Sequence, residues 1–208
     1  MTTLTVLKAR IADEMARSDI PDLIANSISS AIAYYQRKRF YFNELDSVTF
    51  STVDTQAEYT SSDNAYIPYL YDIDAITVTV SSNNYEMDQI SPEEWRILYN
   101  TTATGQPECF AYFNQKLRLY PIPNDVWTVR IQAHVRIAAP ATDGEASNVW
   151  MIDAEELIRA RAKYDLYCVL GDNKQASMAN AWEQQALISL NALSNSMMKT
   201  GYITPMQF

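Results

Sequence analysis

The stretch YYQRKRFYFNELDSVTF, residues 34–50, decides the fold, because the sequence pattern changes there from helical to extended. Before it, apolar residues recur every three or four positions; after it, β-branched and aromatic residues form short runs. Arg37, Lys38 and Arg39 are predicted to lie in the last turn of a helix, where cations stabilise the negative end of the helix dipole. Their charge therefore needs no nucleic acid to explain it.

Two helices are predicted ahead of this junction. The first covers residues 3–16, where four apolar side chains recur at helical spacing: Leu4, Leu7, Ile11 and Met15. The second begins after RSDIPD, with Asp19 as its N-cap and Pro21 in its first turn.

A β-rich segment follows from Val48 onward, in runs such as SVTFST, AYIPYLY and VWTVRIQAHVRI. AYFNQKLRLYPIP predicts a hairpin with Asn114 and Gln115 in its turn. One short helix interrupts the strands at SPEEWRILYN, where Ser91 is the predicted N-cap.

Helical periodicity returns at Asp153, the predicted N-cap of a helix that ends at Gly171. A long helix spans about residues 173–198, and six apolar residues fall on one of its faces: Ala179, Trp182, Ala186, Leu190, Leu193 and Met197. The last ten residues, KTGYITPMQF, show no helical pattern. The predicted fold class is therefore α+β: a helical bundle of two N-terminal and two C-terminal helices, with a β-rich insert and an extended C-terminal tail.

The size of the chain and its composition predict a soluble protein that is either one compact domain or one domain with an added arm. At 208 residues it can bury a core without disulfides or metal ions, and Cys109 and Cys168 form no metal-binding motif. The first residues do not resemble a signal peptide, and no segment approaches the ~20 apolar residues of a membrane span. We expect synthesis in a reducing cytoplasm and no membrane partner.

The net charge of −9 is concentrated in one segment. Residues 46–108 contain eleven acidic side chains against a single base, Arg96. Acidic side chains repel a phosphate backbone, so this segment is not expected to bind nucleic acid. Two interpretations remain open: a solvated sheet face that keeps the protein soluble, or a surface that DNA passes without sticking.

The sequence contains no recognisable catalytic or cofactor-binding motif. Its single histidine, His134, lies in a strand-like run, and the paired acids Glu93/Glu94 and Glu155/Glu156 fall in first turns of predicted helices, where acids stabilise the dipole. Asp72 and Asp74 lack a third ligand for a cation. We therefore expect no enzymatic activity, no metal site and no cofactor.

Three segments, in order, resemble the head-to-tail adaptor (connector) proteins of tailed bacteriophages. They are AIAYYQRKRFYFNELDSVTFST, GQPECFAYFNQKLRLYPIPNDVWTVRI and SNVWMIDAEELIRARAKYDLY, and the resemblance covers about residues 4–195. It implies a virion neck protein, made in the bacterial host cytoplasm, that forms a homo-oligomeric ring of about twelve copies. It further implies contact with the portal protein and with a tail nozzle or tail tube protein, around a channel for genome passage and ejection.

The resemblance also implies roles for the parts of the chain. Residues 1–45 and 150–198 would form the ring wall, the β-rich insert of residues 46–149 would face the tail, and an arm of residues 199–208 would dock on the portal. Apolar arm residues that cannot be buried within so short a peptide are the docking candidates: Tyr202, Ile203, Pro205, Met206 and Phe208.

Two further groups of residues are candidates for this role. Those for the contact between subunits are aromatic: Phe40, Tyr41, Phe42 and Trp150. The first three have an equally good alternative, which is packing within their own subunit. The second group is acidic and would line the channel: Asp72, Asp74, Glu86 and Asp88. Their charge would keep contact with passing double-stranded DNA transient and non-specific.

Three other functions stay open on the sequence. One is a different ring protein of the virion, such as a tail nozzle, stopper or tail-completion protein. Another is a non-viral soluble binding module that uses the β-rich insert for recognition. The third, an enzyme, would need a pocket with convergent polar groups that the sequence does not indicate.

Overall fold

The computed structural model describes residues 2–99, 103–145 and 147–198. In that part of the chain, six α-helices and two four-stranded sheets are divided between two compact units. The helical unit consists of the described residues of Met1–Phe42 and Ala138–Phe208, and the β unit of those of Asn43–Ile137. The predicted α+β class is confirmed.

Both units are built from short elements. The helices are α1 (Leu4–Met15), α2 (Pro21–Tyr35), α3 (Pro92–Tyr99), α4 (Val149–Ile152), α5 (Glu155–Leu170) and α6 (Asn173–Met198). The strands are β1 (Glu44–Ser51), β2 (Glu58–Tyr59), β3 (Leu70–Val80), β4 (Asn83–Glu86), β5 (Asp88–Gln89), β6 (Cys109–Phe113), β7 (Lys116–Tyr120) and β8 (Thr128–Val135). Only α3 among these helices belongs to the β unit.

Helix α5 is the centre of the helical unit, since α1, α2, α4 and α6 all pack against it. Its buried residues lie around the helix instead of on one stripe: Leu157, Ile158, Ala160, Ala162, Lys163 and Leu166. A helix with partners on several sides has no single buried stripe.

The start and the end of α2 differ from the sequence prediction. Ile20 occupies the N-cap position without a side-chain hydrogen bond. Asp19, the predicted cap, instead accepts two hydrogen bonds from the Arg17 guanidinium, at 2.7 and 2.9 Å. The prediction that the cations at 37–39 lie in the last turn of this helix is wrong. Because α2 ends at Tyr35, they follow the helix.

A short helix, α4, precedes α5 and was not predicted. Asn148 caps it by accepting a hydrogen bond from the Trp150 N–H at 3.1 Å. Asp153 is the C-cap of α4, so the prediction that it caps α5 is wrong; Ala154 occupies that position. At the other end of α5, Gly171 has a left-handed φ of 76°, which confirms the predicted C′ glycine.

The β unit consists of two sheets that share one core. The strand order is β1-β8-β3-β4 in the first sheet and β2-β7-β6-β5 in the second. Residues from the inner faces of both sheets form one buried cluster, among them Phe50, Ile76, Phe110, Leu119 and Ile131. Alternation of buried and exposed residues along β8 gives the first sheet one apolar face.

Local turn and cap chemistry in the β unit follows the sequence closely. Asn114 and Gln115 both have left-handed φ angles, 54° and 58°, and join β6 to β7 as the predicted hairpin. Ser91 and Glu94 exchange hydrogen bonds at the start of α3, which confirms Ser91 as its N-cap. Residues Ile67–Tyr69 form a 3-10 turn instead of a strand, because proline at position 68 cannot donate to a strand ladder.

Candidate interaction surfaces

The aromatic candidates for the subunit contact form one cluster in the helical unit. The Trp150 ring lies 6.3 Å from the Phe40 ring and 5.2 Å from the Phe42 ring, both edge-on. Phe40 and Trp150 are fully buried, so they are core residues of the helical unit and present no surface to a neighbour. Tyr41 and Phe42 are partly exposed and remain available for a contact between subunits.

Tyr41 makes two hydrogen bonds to other residues of the helical unit. Its backbone N–H donates to the Ser194 hydroxyl at 3.3 Å, which connects the segment after α2 to the C-terminal half of α6. Burial and a hydrogen bond to Asp153 raise the pKa of Tyr41 to about 12. The phenol therefore keeps its proton at neutral pH and donates a hydrogen bond to the Asp153 carboxylate.

The four acidic candidates lie on the β unit, and all are exposed. Asp72 and Asp74 belong to β3, Glu86 to β4 and Asp88 to β5, so they are divided between the two sheets. The register places Glu86 opposite Thr77, five residues along β3 from Asp72, or about 16 Å. They are thus spread over the surface and do not form one cluster.

The charge of the chain is divided unequally between the two units. The β unit contains thirteen acidic and five basic residues, a net charge of −8. The helical unit has twelve acidic and eleven basic residues, a net charge of −1. Nearly the entire negative charge of the chain therefore belongs to the β unit.

A buried polar network joins α2, α5 and α6. The Tyr35 hydroxyl donates to the Glu183 carboxylate at 2.5 Å, and the Arg161 guanidinium donates to the same oxygen at 3.3 Å. Arg161 also lies 4.3 Å from the centre of the Tyr34 ring and 3.3 Å from Asp165. Burial and the hydrogen bond to Glu183 raise the pKa of Tyr35 far above its ordinary value.

A groove of about 550 Å³ lies between α1, α5 and α6. Lys163, on its wall, pairs with Glu14 at 2.7 Å and places its ammonium 4.6 Å from the centre of the Trp182 ring. Burial raises the pKa of Glu14, but hydrogen bonds and charge from Lys163 and Arg159 outweigh it, so the pKa lies below its ordinary value. The charges of the groove are thus compensated, and the half-exposed indole is its apolar part.

The long helix α6 does not bury the apolar face that its spacing predicted. Ala179 and Leu190 are buried as expected, whereas Trp182, Leu193 and Met197 are largely exposed. The buried stripe is rotated about the helix and consists of Ala176, Ala179, Glu183, Leu190 and Ser194. Sequence analysis therefore missed an exposed apolar surface on α6, although the absence of charge between residues 184 and 198 signals it.

Metal-ligand clusters and membrane-spanning helices are both absent from the part of the chain that the structure describes. Within residues 2–99, 103–145 and 147–198, no three His, Cys, Asp or Glu side chains come together as ligands for a metal ion. None of the helices in that part of the chain combines the length and apolar character needed to cross a membrane. The docking candidates Tyr202, Ile203, Pro205, Met206 and Phe208 lie outside the described residues.

The sequence profile of the family described as SU10 adaptor protein matches residues 2–205, nearly the whole chain. The chain belongs to the SU10 adaptor family. Among curated proteins, none matches it. The family confirms the resemblance to the head-to-tail adaptors of tailed phages that the three sequence segments indicated.

Membership in the SU10 adaptor family gives the two units a biological setting. The protein is a structural adaptor of a phage virion, located at the neck and associated with portal and tail components. The family favours the adaptor over the nozzle, stopper and binding-module alternatives. Surfaces that meet other proteins are therefore functional parts of this SU10 adaptor.

Proposed function

We propose that this adaptor assembles as a ring of about twelve copies that joins the portal to a tail nozzle or tail tube and leaves a channel for the genome. The observation that carries the proposal is the family match over residues 2–205. The helical unit is the ring wall and the β unit faces the tail. The uneven charge supports this division, since the nearly neutral unit packs against sister copies without strong repulsion.

The C-terminal arm of residues 199–208 docks on the portal in this proposal. Its apolar residues are too close together in sequence to bury one another. Because one arm extends from each copy, weak contacts add through multivalency.

The direct test is assembly on purified heads that carry a portal but no tail. We expect the full chain to attach, with a ring visible below the portal by electron cryomicroscopy, and a chain ending at residue 198 to attach far more weakly. A full chain that binds tails but never heads would contradict the proposal. Undiminished attachment of the shortened chain would remove the docking role from the arm and leave the ring.

The channel part of the proposal rests on the net charge of −8 on the β unit. Exposed carboxylates repel passing phosphates and keep contact with DNA transient, an effect that weakens as salt screens it. We expect neutralisation of the four acidic candidates, by Asp72→Asn, Asp74→Asn, Glu86→Gln and Asp88→Asn together, to slow DNA ejection at low salt. Equal ejection rates at every salt concentration would assign these acids to solubility alone.

A further inference from the structure

The exposed surface of α6 carries no charge over most of its length. From Gln175 to Met198 the helix has one charged side chain, Glu183, and that residue is buried. Its large exposed apolar residues are Met178, Trp182, Ile188, Leu193 and Met197, which we call the α6 face. Helices that face water usually carry Lys and Glu, whereas the cores of protein interfaces lack them and are rich in Trp and Met.

Four of the five residues of the α6 face lie on one side of the helix. At 100° per residue, Met178, Trp182, Leu193 and Met197 fall within about 100° of arc, and Ile188 lies about 80° beyond Met178. The face extends over most of a helix about 39 Å long. Ile188 and Met197 are 69% and 58% exposed, which is a large cost in water for residues of this size.

A second surface without charge lies on α2 of the same unit. From Leu23 to Tyr35 this helix has no charged residue. Its exposed residues fall on one side and are mostly small: Asn26, Ser29, Ser30, Ala33 and Tyr34, which we call the α2 face. Small residues allow a neighbouring helix to approach closely and leave room for its large side chains.

We propose that the α6 face of one copy packs against the α2 face of the next copy. This inference rests on the proposed ring and assigns the contact that forms it. A ring requires a contact between two different surfaces of the subunit, and the α2 and α6 faces lie on different helices that both pack on α5 through their other sides. No residue of either face is charged, and the cations beside them, Arg161 at Tyr34 and Lys163 at Trp182, are already paired with Glu183 and Glu14, so pairing the faces buries no unpaired ion.

The area offered by α6 fits a specific contact. About half the circumference of a helix of this length amounts to roughly 600 Å². Specific interfaces bury about 800 Å² per partner, so α6 alone supplies most of what such a contact needs. Trp182, which borders the groove beside Lys163, is the residue type most often found at the energetic centre of interfaces.

The test uses one variant for each face. Leu193→Glu with Met197→Glu places charge on the α6 face, and Ser30→Arg with Ala33→Arg places charge on the α2 face. Ile97→Glu, at a 72% exposed position on α3 of the β unit, is the matched control. Mass is measured by analytical ultracentrifugation across a range of concentrations, and circular dichroism verifies that each variant is folded.

We expect the unmodified chain and the control to form rings and each face variant to remain monomeric. An equimolar mixture of the two face variants should give dimers and nothing larger, because it contains one intact pair of faces. Face variants that still form rings would overturn the inference. Homodimers of the α2-face variant would do so too, since they would show α6 packing against α6.

Three further outcomes relate this inference to the proposed function. A chain ending at residue 198 should still form rings. If this shortened chain fails to form rings and both face variants form them, the arm supplies the contact between copies and the inference fails. An unmodified chain that stays monomeric at all concentrations overturns the inference and the ring together. Rings that form through these faces but never attach to heads overturn only the proposed function.

Discussion

Replacing Tyr35 by Phe removes a single hydroxyl from the core of the helical unit. That hydroxyl donates to the Glu183 carboxylate at 2.5 Å, and both residues are almost fully buried. The other oxygen of Glu183 has no hydrogen-bond partner within the described residues. The hydroxyl and the Arg161 guanidinium are therefore the groups that replace water around this carboxylate.

The size of the effect follows from these contacts. A hydrogen bond to a charged group contributes about 1.5–3 kcal/mol, and Phe keeps the volume of the ring, so no cavity forms. We expect Tyr35→Phe to lower the free energy of unfolding by about 2 kcal/mol, a ~30-fold change in the unfolding equilibrium. The same replacement at Tyr34, whose ring is half exposed, should cost less than about 0.5 kcal/mol.

Urea unfolding followed by far-ultraviolet circular dichroism measures both variants. In a Glu183→Gln background the cost of Tyr35→Phe should fall, since the amide is a weaker acceptor than the carboxylate. The reasoning is refuted if Tyr35→Phe costs no more than Tyr34→Phe, because the buried hydrogen bond would then contribute nothing.

Three other predictions concern pH and packing. The pKa of Tyr35 is higher in the folded than in the unfolded chain, so the unfolded chain loses this proton at lower pH. The free energy of unfolding should therefore fall as pH rises above about 10. Tyr35→Phe should flatten this pH dependence in urea titrations, and an unchanged dependence would contradict the prediction. Burial raises the pKa of Glu58, but Arg118 and Lys116 lower it by more, so the folded-state pKa lies below the ordinary value. The ionised side chain therefore stabilises the fold fully at pH above the ordinary pKa, and this stabilisation is lost as pH falls through the folded-state pKa. Glu58→Gln should accordingly cost about 0.5 kcal/mol at neutral pH and nothing once the pH is well below the folded-state pKa, whereas a constant difference would rule out the ion pair as its cause. Trp150→Ala should cost about 4 kcal/mol in thermal or urea unfolding, since it empties a fully buried site against two rings; a cost under 1 kcal/mol would mean that the ring cluster is not packed as described.

Features set by local chemistry were predictable from the sequence. The hairpin at Asn114 and Gln115, the cap at Ser91 and the left-handed Gly171 each depend on residues within one turn of the backbone. The errors arose where a distant or competing partner decides. Asp19 is engaged by Arg17, and α4 forms because Asn148 caps it, so neither outcome follows from helical spacing.

The interaction surfaces were less predictable, for a reason visible in α6. Helical spacing favoured the stripe with Trp182 and Met197, because the stripe that packs on α5 also contains the polar residues Glu183 and Ser194. The structure buries the stripe with Ala176 and Ala179, since small residues let α5 and α6 approach closely, and it leaves Trp182 and Met197 outside. Likewise, the aromatic block contributes Phe40 to the core, while its neighbour Phe42 keeps some exposure.

The helical unit is encoded in two separated pieces, with the whole β unit between them. On the ribosome, α1 and α2 emerge before the β unit, but α5, on which they pack, follows about 120 residues after the end of α2, or roughly 6–24 s later. The helical unit is therefore completed only after the whole β unit has been translated. Until then, two nascent chains cannot associate through a complete helical unit.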